Sequence, residues 1–317
     1  MTGAGERLPG TPAPMHRWPG ATGVTIAGDS WGPADGPLVV LQHGGGQTRH
    51  AWKNVGQALG RAGYHAVSFD ARGHGDSDWA PDGVYGQERM VADLQAVLAA
   101  LGGRRPVLVG ASMGGGTSLA AIGDDHVDAT ALVLVDIAPR IQPEGVGRIV
   151  EFMFQRSNGF ASLEEVADDI ARYQPQRARP KNLAGLAKNL RLGADGRYRW
   201  HWDPRFMTPE RRLQDREEFL ENCARRLTLP TLLVRGGLSD VLTEEGAQAF
   251  LALVPHAEYV NVGDAGHMVA GDRNDRFGAA VVEFLARAVP VHGKPVQPAH
   301  ELHPRASGAT GDLHDIP

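Results

Sequence analysis

A chain of 317 residues with 42% hydrophobic and 22% charged side chains can bury a sizeable core, and its length suits one α/β domain carrying an insertion. A formal net charge of -5 gives nucleic acid or an anionic membrane no reason to bind, so the expected partner is a small-molecule substrate, with the oligomeric state left open. The single cysteine, Cys223, excludes an internal disulfide framework and a cysteine-rich metal site, and reads as a small buried hydrophobe in a reducing, cytoplasmic compartment.

Residues 1–20 are rich in Gly, Pro and Thr and lack a basic stretch followed by an apolar one, so they read as a disordered N-terminal segment and not as a signal peptide. From there, short apolar runs alternate with amphipathic stretches, the pattern of strands and crossover helices around a mainly parallel sheet with helices on both faces. The runs predict strands at 38–42, 66–69, 106–109 and 131–136, with helices at 52–62, 87–101 and 113–122. The rhythm resumes with strands at 231–235 and 258–262 and helices near 244–253 and 275–288. The core is thus expected over 21–136 and 230–288. No apolar run approaches the ~18 residues that a membrane-spanning helix needs.

Between 137 and 229 the alternation lapses. Helical periodicity at 162–173 and 212–226, a Pro/Arg-rich break near 174–180 and the absence of convincing strand runs predict a helical cap over the carboxyl ends of the strands. Its aromatics, Phe152, Phe154, Phe160, Tyr198, Trp200, Trp202 and Phe206, would either line an apolar pocket or pack the cap's own core. From 289 to 317 the chain turns to Pro, His, Gly and Asp without periodicity, which predicts a disordered tail; the irregular spacing of its histidines at 292, 300, 303 and 314 suits solvent better than a metal.

Two stretches carry chemistry. The strand at 106–109 runs into Gly110-Ala111-Ser112-Met113-Gly114, a Gly-x-Ser-x-Gly pattern at a strand-to-helix turn. Small residues two positions either side of the serine let strand and helix approach, the hydroxyl stands clear of the sheet, and the Met113 N–H points where an oxyanion would form. A tetrahedral oxyanion needs a second donor, and His43-Gly44-Gly45-Gly46, again after a strand, offers the N–H of Gly45. Neither stretch is a phosphate loop, because Gly116-Thr117 stands where Lys-Ser/Thr belongs and no G-x-G-x-x-G follows a strand.

A neutral serine needs a base, and the base needs an acceptor to fix its tautomer. Among the 13 histidines, His267 follows the last strand at the same sheet edge, whereas His43 and His74 sit in glycine-flanked loops that they would shape by hydrogen bonding. Asp240, in the loop after the preceding strand, is the expected acid and gives the chain order Ser, Asp, His. Asp136, at the end of the strand after the serine, is a rival, and Asp264 reads as a turn residue.

Together, 41–46, Phe69-Asp70-Ala71-Arg72-Gly73-His74-Gly75-Asp76-Ser77, 110–115, 235–240 and Gly266-His267 resemble the α/β-hydrolase superfamily, in particular the capped branch of cofactor-free haloperoxidase-like esterases, enol-lactonases, carbon-carbon bond hydrolases and epoxide hydrolases. The resemblance covers roughly 24–288. It implies Ser112 as nucleophile, Asp240 as acid, His267 as base and the N–H groups of Gly45 and Met113 as oxyanion hole, with no metal or organic cofactor. Epoxide hydrolases of that branch carry aspartate at the elbow and proline in the first loop; Ser112 and Gly46 stand there instead, which disfavours epoxide opening. The expected activity is hydrolysis of an ester or lactone through an acyl-enzyme, with carbon-carbon cleavage, acyl transfer, perhydrolysis or a non-catalytic binding role as alternatives.

Overall fold

The computed structural model describes residues 5–156, 158–174, 179, 183–206, 213–267 and 274–291. The strands are β1 (Glu6–Arg7), β2 (His16–Pro19), β3 (Thr25–Trp31), β4 (Leu38–Gln42), β5 (His65–Phe69), β6 (Val107–Ala111), β7 (Ala131–Val135), β8 (Leu190–Leu192), β9 (Tyr198–Trp200), β10 (Thr231–Gly236) and β11 (Glu258–Val262). The helices are α1 (Lys53–Ala62), α2 (Gln87–Ala100), α3 (Met113–Gly123), α4 (Pro143–Phe154), α5 (Leu163–Tyr173), α6 (Leu213–Arg225), α7 (Glu244–Leu253) and α8 (Asp275–Ala288).

Eight strands form one sheet in the order β11-β10-β7-β6-β4-β5-β3-β2, parallel from β11 to β5 and antiparallel at the β5–β3 and β3–β2 pairings. Every residue of β4, β6 and β7 is buried, which is why these strands read as continuous apolar runs. Alternation still sorts their side chains between two cores. Leu38, Val40, Leu108, Leu132 and Leu134 face α2, α3, α6 and α7, while Val39, Leu41, Val107, Val109 and Val133 face α1 and α8. The edge strand β11 is exposed or half-buried throughout.

Three expectations change. Residues 5–20 are not loose: β2 extends the main sheet, and β1 pairs with β8 as an edge of a second sheet, β1-β8-β9. Two and four residues are too few to show a period, and the partner of β1 is distant in the chain. The insertion supplies β8 and β9 of that small sheet as well as α4 and α5, so it is not purely helical. Nor does α6 belong to the cap: Leu220, Cys223 and Ala224 join the core cluster on α3, and a methyl group on Gly123 would meet Cys223 Cβ at 2.3 Å. The cap's own core gathers Phe152, Phe160, Val166, Leu190, Trp200 and Trp202. At the other end, the Val289 carbonyl accepts the Tyr64 hydroxyl at 3.0 Å, and the predicted tail beyond 291 lies outside the described residues. Among the described residues, no helix is long and apolar enough to cross a membrane.

Candidate active site

The site is built at the carboxyl end of β6. Ser112 adopts φ 45° and ψ -111°, a conformation that a non-glycine residue holds only when its surroundings over-determine it. Those surroundings are backbone: a methyl group on Gly110 would lie 2.4 Å from the Gly114 carbonyl, and one on Gly114 would lie 2.6 Å from the Gln42 carbonyl oxygen. The Ser112 N–H donates to Val135 O at 3.1 Å, tying the turn to the end of β7. Met113 opens α3, so its N–H is a first-turn donor with no partner within the helix.

The residue after Val135 is Asp136, itself at φ 53°. Its carboxylate is held at both oxygens, Oδ1 by the Gly236 N–H at 2.9 Å and Oδ2 by His267 Nδ1 at 2.7 Å. Asp136 and His267 are both buried. A carboxylate can only accept, so Nδ1 carries the imidazole proton and Nε2 is left with its lone pair for a general base's work. Asp240 does not fill that position. It is exposed, and its Oδ2 takes both Nε (3.0 Å) and Nη2 (2.7 Å) of Arg148 on α4, so it ties the loop after β10 to the cap and not to the imidazole. Asp264 is equally remote in function, an exposed partner of Arg276 at 2.5 Å. The carboxylate expected beside His267 is therefore corrected from Asp240 to Asp136: among the described residues it is Asp136, directly after β7, that bonds the imidazole.

The first glycine loop is held just as closely. Gly44 N–H donates to Gln47 Oε1 at 2.9 Å and Gly46 N–H to His74 Nε2 at 3.2 Å. Between them, the Gly45 N–H donates to no group among the described residues, as a donor reserved for substrate would. The Cβ of Ser112 lies 3.3 Å from where a methyl group on Gly44 would sit, so the loop borders the elbow.

Three buried imidazoles shape this loop and the one at 70–77. The Ala71 N–H donates to His43 Nε2 at 2.9 Å, which leaves Nδ1–H to donate to Gly44 O at 2.8 Å. His74 takes the Gly46 N–H and gives Nδ1–H to Arg72 O at 3.2 Å. His201, from the cap, accepts the Gly75 N–H at Nδ1 (2.7 Å) and donates Nε2–H to Gly46 O (3.2 Å). Each is thus satisfied as a neutral ring. Beneath them, Arg49 binds Asp29 (3.0 Å), Asp70 (2.6 Å) and Asp76 (2.9 Å). Burial alone would raise the Asp70 carboxyl, but Arg49 and the neighbouring imidazoles hold it well below the usual carboxylate range.

Burial lowers all three histidines from 6.5, with His74 brought to about 3. In the unfolded chain these rings take up protons near pH 6.5, and in the folded protein His74 does so only near 3. The unfolded state therefore binds more protons in between, and stability that is complete above about pH 6.5 is lost as pH falls. At pH 5 His74 alone accounts for about 2 kcal/mol. Urea unfolding at pH 7.5 and pH 5 checks this; a midpoint that stays level or rises on acidification contradicts it.

The cap covers the loop with apolar surface. Methyl groups built on Gly45 and Gly46 would meet Phe206 at 3.8 Å, and Met153 and Trp202 at 3.5 Å. Of the predicted aromatics, Trp202 and Phe206 therefore face the site. Phe152, Phe160 and Trp200 pack inside the cap, and Phe154 is exposed. Cys223 lies in the core under α3 with its thiol pushed up to about 11 by burial, away from any nucleophilic role. His201, Arg191 and Asp203 were not legible as site-shaping residues, since nothing in their local sequence marks a loop that docks on the core.

Residues 37–273 match the family model described as alpha/beta hydrolase fold. The chain is 29% identical over 272 residues to a 3-hydroxybutyrate-oligomer hydrolase of Cupriavidus necator (81% of this chain, 89% of the relative). It is 30% identical to an sn-1-specific diacylglycerol lipase of Mus musculus (80% and 83%) and 30% identical to an esterase of Mycobacterium tuberculosis (77% and 80%). Among solved structures it is similar to an alpha/beta hydrolase from Novosphingobium aromaticivorans, with a TM-score of 0.70 and 25% identity over 86% of this chain and 97% of the other.

Proposed function

Because the chain belongs to the α/β-hydrolase family, whose relatives include enzymes named as hydrolase, lipase and esterase, we propose that it is a serine hydrolase acting on a carboxylic ester or lactone of a small, largely apolar substrate. His267 Nε2 takes the Ser112 proton as Oγ attacks the carbonyl carbon. The oxyanion is met by the N–H groups of Gly45 and Met113, and Asp136 stabilises the imidazolium that forms. The leaving alcohol departs with the proton from His267, which then activates water to hydrolyse the acyl-enzyme. Trp202, Phe206 and Met153 favour apolar groups beside the oxyanion donors.

The observation that carries this reading is the 2.7 Å bond of His267 Nδ1 to Asp136, whose chain neighbour Val135 is bonded to the strained elbow of Ser112. A fluorophosphonate probe followed by peptide mass spectrometry is expected to label Ser112 alone, and nitrophenyl esters or simple lactones to be turned over by the unlabelled protein only. Labelling elsewhere, or an inert protein across an ester and lactone panel, would remove the reading.

A further inference from the structure

Residues 44–46 are three consecutive glycines, the residues with the widest choice of backbone conformation, and Gly46 sits at φ 73°. A donor that must wait in place for a developing oxyanion cannot rely on such a segment to hold itself; its order has to come from neighbours. On one side of Gly45, the Gly44 carbonyl accepts from His43 Nδ1–H at 2.8 Å and from the Gln47 N–H at 3.1 Å. That carbonyl and the Gly45 N–H belong to one trans peptide unit, so fixing the oxygen aims the hydrogen the opposite way. On the other side, Gly46 is gripped at both polar groups, its N–H by His74 Nε2 and its carbonyl by His201 Nε2–H, each at 3.2 Å.

Of these ties, only His201 comes from the cap. It follows β9 directly, its ring is fully buried, and its other nitrogen accepts the Gly75 N–H at 2.7 Å. Other bonds seat the cap on the core here, among them Asp203 N–H to Gly73 O at 2.8 Å and, from β8, Arg191 to Asp76 at 3.1 Å.

The geometry points to His201 as a positioning residue of the cap that holds the Gly46 carbonyl and thereby keeps the Gly45 N–H aimed at the reacting carbonyl oxygen. This rests on the serine-hydrolase reading. It gives the cap a part in the chemical step as well as in enclosing substrate.

Two variants separate the ring's bonds. His201→Asn places an amide oxygen near Nδ1, keeping the acceptor for Gly75 and losing the donor to Gly46. His201→Gln extends an amide N–H to the Nε2 position and keeps that donor. Deleting an oxyanion donor outright costs about 10²- to 10³-fold in kcat, so loosening one is expected to cost about tenfold or more. With a nitrophenyl ester, His201→Asn should therefore lower kcat with KM little changed, and His201→Gln should recover most of the loss. A trifluoromethyl ketone, which forms a tetrahedral adduct on serine, should lose affinity for the Asn variant by the same factor as kcat/KM. Unchanged kcat in His201→Asn, unchanged ketone affinity beside a lowered kcat, or a Gln variant no better than Asn would each overturn the role of His201. A wild-type protein that neither hydrolyses esters nor reacts with the fluorophosphonate would instead overturn the hydrolase reading beneath it.

Discussion

Exchanging Ser112 for alanine is expected to lower kcat for an activated ester by about 10⁶-fold, close to the loss seen when a serine nucleophile is removed from a complete triad. The fold should survive. The strain at φ 45° is imposed by the packing of Gly110 and Gly114 against backbone, and alanine keeps the same Cβ while losing only Oγ from a half-buried residue. A melting temperature close to wild type with no measurable turnover is the expected pair of results. Activity within tenfold of wild type would mean that Ser112 does not form the acyl bond.

Asp136→Asn is the second large effect. The amide can still receive the Gly236 N–H, but the group facing His267 Nδ1 can now be a donor, and the ring is free to adopt the tautomer that places its proton on Nε2. A base whose lone pair faces away from the serine cannot take its proton. The equivalent change in a serine triad lowers kcat about 10⁴-fold, and a loss of that order is expected here. Asp240→Asn should leave kcat near wild type, because Asp240 is an exposed partner of Arg148. If Asp240→Asn is the crippled variant and Asp136→Asn is active, the assignment of the acid reverses.

The contrast between those two aspartates shows where sequence reading stops. Both follow apolar strands that end at the same edge, β7 and β10, and nothing local says which carboxylate reaches the imidazole. What separates them is visible only in long-range contacts: Asp136 bonds Gly236 and His267, whereas Asp240 bonds Arg148 on a cap helix. Elements that advertise themselves locally were legible, such as the buried runs of β4, β6 and β7, the small residues around Ser112, and the glycines beside His43 and His74. The three-residue strands β8 and β9 were not, being too short to display a period of two. Nor was the seat of α6 on α3, since an apolar helical face does not name the layer it will join.

The strand Glu6–Arg7 completes a sheet whose other members lie in the second half of the polypeptide, and Arg7 also approaches Asp76 at 3.8 Å. The entropic cost of closing so long a loop must be met before the contact it allows can repay it, so such a contact forms late unless its ends are already ordered. The opening residues are therefore expected to dock only once β8 and the loop that carries Asp76 are in place, so that the chain's beginning fastens a cap already built from its second half.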